Sequence, residues 1–378
     1  MSTIIRTRSP FFIRTPDESD ADLSFFRLIL TIFKGSVGST PACGDLNETV
    51  TLEKKILPTE TSVTFEISEI VNQYFEQTFT GTYSADMQSL WVSTGITARK
   101  ADGTLIGSST DAVYLAQEGF NTFKEGVNFT DENEALISSN YIQVKDGDAI
   151  RLPVNAQSVT SVEFKEGNTT ISTQAISDDL SSPQKIQYVV RSYSSTINID
   201  SIVVNFTGRS SSGTRTITVE AVEECKFSPY KCVFLNRWGA FQDVYFFKKS
   251  TSSLESKNET FNKSIFAANT ITSSLVGGVC TPASTYNTYS TTDHSMQTFN
   301  TNAKQSLVLN TGFIKETMNI TLEELLLSEY IWLVDSSNNV FPSILKESNL
   351  QTKTSLNDRL INYTMNFEMS FDYINNVR

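Results

Sequence analysis

The sequence predicts a mainly β protein: several sandwich- or barrel-like domains with one or two short helices. Three observations carry this. Thr, Tyr, Phe, Val and Ile are frequent and Ala is scarce, a composition that favours strands. Apolar residues alternate with polar ones in short runs bounded by Gly, Pro, Asn, Asp and Ser. The chain has 378 residues, 39% of them hydrophobic and 19% charged, enough for two or three cores at roughly 150 residues per domain.

The first region spans residues 1–152. Residues 26–33 read as a buried strand and 61–65 as another. Ile67, Ile70, Val71, Tyr74 and Phe75 then recur at helical spacing, with Ser68 as the expected N-cap. Residues 90–104 read as a strand ending in the turn Ala101-Asp102-Gly103, with 113–115 as its hairpin partner.

The second region, residues 153–222, reads as purely β. Strand-like runs at 158–164, 185–190, 197–206 and 214–221 are separated by Glu166-Gly167-Asn168, Ser182-Pro183 and a Gly/Ser-rich turn. That spacing predicts a small sandwich of immunoglobulin type.

The third region, residues 223–378, opens with strands at 230–235 and 243–248, and a further strand is expected at 306–309. Thr321-Leu322-Glu323-Glu324 has the form of a capping box opening a helix that ends near Ser328. Runs at 330–334 and 340–345 flank the polar loop 335–339 and predict a hairpin. Ile361, Tyr363, Met365, Phe367, Met369, Phe371 and Tyr373 alternate with polar residues. This predicts a terminal strand about 40 Å long at ~3.3 Å per residue, buried on one face.

Charge narrows the function. Thirty basic residues against 42 acidic ones give a net charge of -12, which repels phosphate and anionic lipid, so neither nucleic acid nor a membrane surface is expected as a partner. The most apolar stretch, residues 25–33, is well short of the ~20 residues of a membrane span. The first fifteen residues hold three Arg and no apolar run, so no signal peptide is expected. Cys43, Cys225, Cys232 and Cys280 are scattered and are expected as reduced thiols rather than a disulfide framework or zinc site. More than a fifth of the chain is Ser or Thr, so the Asn-x-Ser/Thr triplets at Asn47, Asn128, Asn168 and Asn205 are expected by chance.

No catalytic constellation emerges. The single histidine, His294, sits between Asp293 and Ser295, whereas triads assemble from separate elements. Nucleophile-elbow, phosphate-loop and dinucleotide motifs are missing from the sequence. Carboxylates are abundant, but none is singled out as a glycosidase pair. Asp131-Glu132-Asn133-Glu134 and Asp146-Gly147-Asp148 offer oxygens to calcium, but the Asp-Gly pair reads first as a turn. Trp91, Trp238 and Trp332 are expected in cores rather than stacked on sugars.

The third region bears a resemblance. Cys225-Lys226-Phe227-Ser228-Pro229-Tyr230-Lys231 is followed by Phe234-Leu235-Asn236-Arg237-Trp238-Gly239-Ala240, then by Phe246-Phe247-Lys248-Lys249-Ser250. Together they resemble a segment of structural tail proteins of tailed bacteriophages, especially those of Bacteroidetes hosts. Leu309-Asn310-Thr311-Gly312-Phe313 is similar to a further element there, with Phe313 in place of the more usual Trp. Leu325-Leu326-Leu327-Ser328, the run Asn357-Asp358-Arg359-Leu360-Ile361-Asn362-Tyr363-Thr364 and the opening Arg8-Ser9-Pro10-Phe11-Phe12-Ile13 are also similar. The match covers the last 150 or so residues well and the first 150 loosely; the middle region carries none. The resemblance implies a virion component of the baseplate or tail tip, with no catalytic residue.

On this reading the chain is a structural protein without a cofactor or bound metal. It assembles in the host cytoplasm, its partners being other tail proteins and further copies of itself in a ring. Asn236, Arg237 and Trp238 read first as a turn and second as a contact between subunits. The alternatives are an adhesin for host glycans, a neck connector between head and tail and, last, a polysaccharide hydrolase.

Overall fold

A computed structural model describes the chain except residues 1–2, 38–45, 58, 85–87, 109–111, 130–133, 209–211, 223–225, 277, 282, 348, 352–360 and 375–378. It is mainly β, with 52% of residues in strands, 6% in helix, several separate sheets and no closed barrel. Two compact units divide the chain: Met1–Ser250 with Val308–Phe367, and Thr251–Leu307 with Glu368–Arg378.

The first unit is organised around three large sheets, with the strand pairs Phe12–Arg14/Thr64–Glu66 and Ala149–Asn155/Ile186–Ser192 as two small sheets beside them. In the first, the order is Ile4–Arg6, Ala112–Gln117, Ser89–Arg99, Phe25–Phe33, Asn47–Lys55. Strand Phe25–Phe33 alternates cleanly: Phe26, Leu28, Leu30 and Ile32 enter the core. They meet Ile67, Val71 and Phe75 from the N-cap, the body and the turn after the short helix Ser68–Asn72. The expected hairpin partner, Ala112–Gln117, does lie antiparallel to Ser89–Thr94, but the hairpin across the turn 101–103 is made by a strand the sequence did not suggest, Leu105–Ser108, paired with Thr97–Arg99. The predicted cap does not form: Ile67 holds the N-cap position without a side-chain bond. Glu66 caps instead, accepting from the Ser68 amide at 2.8 Å and from its hydroxyl. A carboxylate just ahead of the N-cap binds free helix amides more strongly than a serine hydroxyl, because the bond is charge-assisted.

In the middle, a five-stranded sheet runs Thr169–Ala175, Val159–Glu166, Ser201–Thr207, Ser212–Val222, Tyr141–Lys145. Strands Ala149–Asn155 and Ile186–Ser192 pair as a separate two-stranded sheet. Both sheets feed one core, which includes Ile150, Leu152, Val162, Phe164, Val189 and Ile217. Strand Ala149–Asn155 runs through residue 152, so residues on both sides of that position belong to this core.

The third sheet of the unit orders Phe241–Phe246, Tyr230–Leu235, Ile331–Val334, Val340–Leu345 and Thr364–Met369, followed by the end of strand Met296–Asn310. The hairpin expected around residues 335–339 forms, closed by Asp335, which accepts from the amides of Ser337 and Asn339. Two expectations are corrected here. Thr321 opens no helix; the helix is Asn319–Leu326, entered from a 3-10 turn, and the Thr321 hydroxyl is buried inside its first turn. The terminal strand is Thr364–Met369, six residues long. Its alternation holds from Ile361 to Phe367, while Phe371 and Tyr373 are exposed, so the apolar period outlasts the sheet that would bury it. The run 357–360 lies outside the described residues.

The second unit is built of long and short strands. Thr251–Asn262 is hydrogen-bonded to Met296–Asn310, far longer than the strand expected at 306–309. Ala267–Ile271 pairs with Ser284–Thr288, and Ser274–Val276 with Val279–Thr281. His294 is exposed in a turn between strands.

Candidate functional site

The turn Asn236–Ala240 connects strands Tyr230–Leu235 and Phe241–Phe246, and its sequence dictates its shape. Gly239 takes φ +76, a conformation cheap only without a Cβ. The Asn236 side chain fills the turn. Its Oδ1 accepts from the amides of Trp238 (3.0 Å) and Ala240 (3.1 Å). Its Nδ2 donates to the Leu136 carbonyl (2.7 Å) and Gln242 Oε1 (3.0 Å). No hydrogen-bonding position on this buried amide is idle.

Around the turn, distant segments converge. The Arg237 carbonyl accepts from the Phe120 amide at 3.0 Å. One Arg237 guanidinium nitrogen lies 2.8 Å from both oxygens of Glu125, and the group stacks 4.3 Å over the Trp238 ring. Arg6, from the first strand, donates to the Trp238 carbonyl (2.8 Å) and to Gln117 (2.7 Å). Trp238 packs with Leu136 and Ile186. The backbone approach is close: a Cβ on Gly239 would lie 2.6 Å from the Glu118 carbonyl oxygen, and one on Gly119 2.3 Å from that of Arg237. Asn236, Arg237 and Trp238 are thus engaged within the protomer, in the turn that their sequence predicted.

Two buried carboxylates flank this junction. Burial pushes Glu118 up to about 7, against a hydrogen bond from Gln77. Burial likewise pushes Glu324 up to about 7, although the Ser138 hydroxyl donates to it. Glu125 moves the other way: burial raises it, but Arg237 and Thr122 outweigh that and hold it below its ordinary range.

A second cluster borders a cleft of about 460 Å³ lined by Phe79, Asp146, Asp148, Lys231, Tyr245 and Asp335, among others. Asp148 accepts from Arg151 (2.8 Å) and Tyr245 (2.6 Å) and faces Lys231 at 3.5 Å. Burial opposes its ionisation, yet these three donors hold it well below the usual carboxylate range. Arg151 also reaches Asp243 at 3.4 Å, and the Tyr83 hydroxyl donates to the same carboxylate. Burial pushes Asp243 upward, against Lys231 and Arg151. One guanidinium therefore serves two carboxylates. Neither is left as a free base or nucleophile; the cluster ties Tyr83, strand Ala149–Asn155 and the third sheet together. Beside it, Phe79, Tyr83, Tyr188, Phe241 and Trp332 form one aromatic group.

The Asp146-Gly147-Asp148 run is the expected turn, with the Asp148 amide donating to the Lys145 carbonyl. Among the described residues, no group of three or more His, Cys, Asp or Glu side chains is placed to hold a metal ion. Asp131, Glu132 and Asn133 lie outside them, as do Cys43 and Cys225. Cys232 is a buried free thiol, and burial pushes its pKa up. Trp91, Trp238 and Trp332 are all buried, as their apolar settings predict. Among the described residues, no helix is long and apolar enough to cross a membrane.

Sequence reasoning missed the Asp148–Arg151–Asp243 cluster and the Glu118 and Glu324 sites. Their partners lie up to 186 residues apart, and nothing local marks an Asp or Glu for burial. No protein-family model matches the chain, and no curated protein is significantly similar to it.

Proposed function

We propose that the chain is a structural component of the tail of a tailed bacteriophage, at the baseplate or tail tip. It holds partner proteins in register and makes or breaks no bond. The observation that carries this reading is where the tail-like motifs lie in the fold. Several of them, among the described residues, join distant parts of the first unit. Arg8, from the opening motif, donates to the Leu327 carbonyl at 2.9 Å and pairs with Glu329 at 2.9 Å. Lys248 packs on Gly312, where a Cβ would come within 3.2 Å of its side chain, and its amide donates to the Asn310 carbonyl. Asn236–Ala240 locks against Arg6, Glu118 and Leu136, as above. Segments that resemble one another across structural proteins, and that serve as internal staples, suit a rigid scaffold whose work is mechanical. The paired carboxylates of the cleft agree with that use.

The test is immunogold labelling of gradient-purified particles from a culture that produces the protein, with antibody raised against the purified chain. Label on the tail end of intact particles is the expected result. Clean particles, with all the protein left in the soluble fraction, overturn the reading. Binding of the purified protein to host cells in place of particles would favour the adhesin.

A further inference from the structure

The second unit carries apolar surface out of proportion to its size. Of the 24 large hydrophobic side chains exposed among the described residues, 11 lie in Thr251–Leu307 and Glu368–Arg378. They include Leu254, Phe261, Phe266, Tyr289, Met296 and Phe299. All twelve residues of strand Thr251–Asn262 are exposed. Sheet that leaves both faces in water lacks the burial that stabilises it, and crowded apolar surface marks an interaction site.

Charge says what covers it. The residues of this unit carry four basic and five acidic side chains, a net of -1, while the rest of the chain carries -11. Two copies meeting elsewhere repel each other; here they do not. Strand Thr251–Asn262 also stands at the end of its sheet, hydrogen-bonded on one side only among the described residues, and contains no proline. An edge of this kind is a template for another strand. Glu255, Lys257 and Glu259 lie on one face of it, alternating in sign. In the antiparallel register whose two-fold axis passes through Ser256, each Glu255 faces a Lys257 of the other copy, twice.

We propose that this unit is the surface through which copies of the chain associate, with edge strand Thr251–Asn262 pairing antiparallel to the same strand of a second copy. The inference deepens the structural reading above, which asks for assembly without naming the contact.

The experiment is sedimentation velocity of the full chain between about 1 and about 100 μM, a window that reveals micromolar association. The variants are Glu255→Lys, Lys257→Glu, the two together, and Leu254→Asp with Phe299→Asp. The wild type is expected to associate. Each single charge variant turns two attractive pairs into repulsive ones and weakens association about tenfold or more. The double charge variant restores the attraction and the wild-type association, a rescue that a misfolded strand would not show. The apolar variant stays monomeric. Far-UV circular dichroism spectra match the wild type throughout, since all these side chains are largely exposed. A wild type that is monomeric at the highest concentration overturns the inference, as does association that none of the variants weakens. A monomer that is nonetheless found in tail particles refutes this inference alone; an associating chain absent from particles refutes the functional reading alone.

Discussion

Replacing Gly239 with Ala tests the junction most sharply, and Gly103 supplies its control. Both glycines have positive φ, +76 at Gly239 and +87 at Gly103. A Cβ at Gly103 would meet nothing within 4 Å, while one at Gly239 would lie 2.6 Å from the Glu118 carbonyl oxygen and 3.2 Å from its carbon. Gly103→Ala therefore reports the backbone cost alone, about 1–2 kcal/mol. Gly239→Ala adds an overlap with main chain, which cannot rotate away as a flexible side chain would. Forcing an atom into such a space costs a further ~1–3 kcal/mol. The expected totals are about 1–2 kcal/mol for the control and about 2–5 kcal/mol for the junction. Urea denaturation followed by tryptophan fluorescence reads the difference, since Trp238 sits in the turn. Equal destabilisation by the two substitutions would refute the argument that close backbone approach, rather than φ, makes Gly239 necessary.

Further outcomes follow from the same contacts. Arg237→Ala removes the pair with Glu125 and the stack on Trp238, both largely buried, and is expected to cost about 2–3 kcal/mol, with Arg237→Lys in between, by the same denaturation. Glu324, with a folded pKa of about 7 against an ordinary 4.5, contributes stability that is complete below about pH 4.5 and is lost as pH rises to about 7, an effect of about 1–3 kcal/mol. Glu324→Gln should therefore flatten the fall in stability between those pH values and melt no lower than wild type at pH 8; an unchanged slope contradicts the assignment. Asp148→Asn is expected to destabilise by about 2–3 kcal/mol at neutral pH. Because its folded pKa is depressed, the wild-type advantage holds above the unfolded value near 4 and shrinks as pH falls below it.

What the sequence disclosed depended on locality. The period-two pattern of Phe26, Leu28, Leu30 and Ile32 was legible because the strand and the face it buries lie in nine consecutive residues. The Asp335 hairpin and the Asn236–Ala240 turn were legible because their bonds close within four residues. The capping box at Thr321 misled because Ser/Thr-x-x-Glu marks a helix start only where the chain is not already helical, and here the 3-10 turn Glu316–Met318 starts earlier. Strand Met296–Asn310 was mostly invisible: it is rich in Asn, Thr and Gln, and its first half buries nothing. The terminal alternation misled in the opposite sense, since Phe371 and Tyr373 keep the period while standing in water. The buried charges were beyond reach, because Arg151 and Asp243 are 92 residues apart and burial of an acid depends on which element covers it.

Assembly in a phage tail, as proposed above, draws on the stapled first unit and on the exposed apolar side chains of the second. Its most direct measurement is the number of copies per particle, read by quantitative mass spectrometry with isotope-labelled peptides of this chain in gradient-purified tailed particles. A fixed whole number greater than one, in constant ratio to the other tail proteins, is the expected result. Absence from the particles, or a trace amount that varies between preparations, would contradict it.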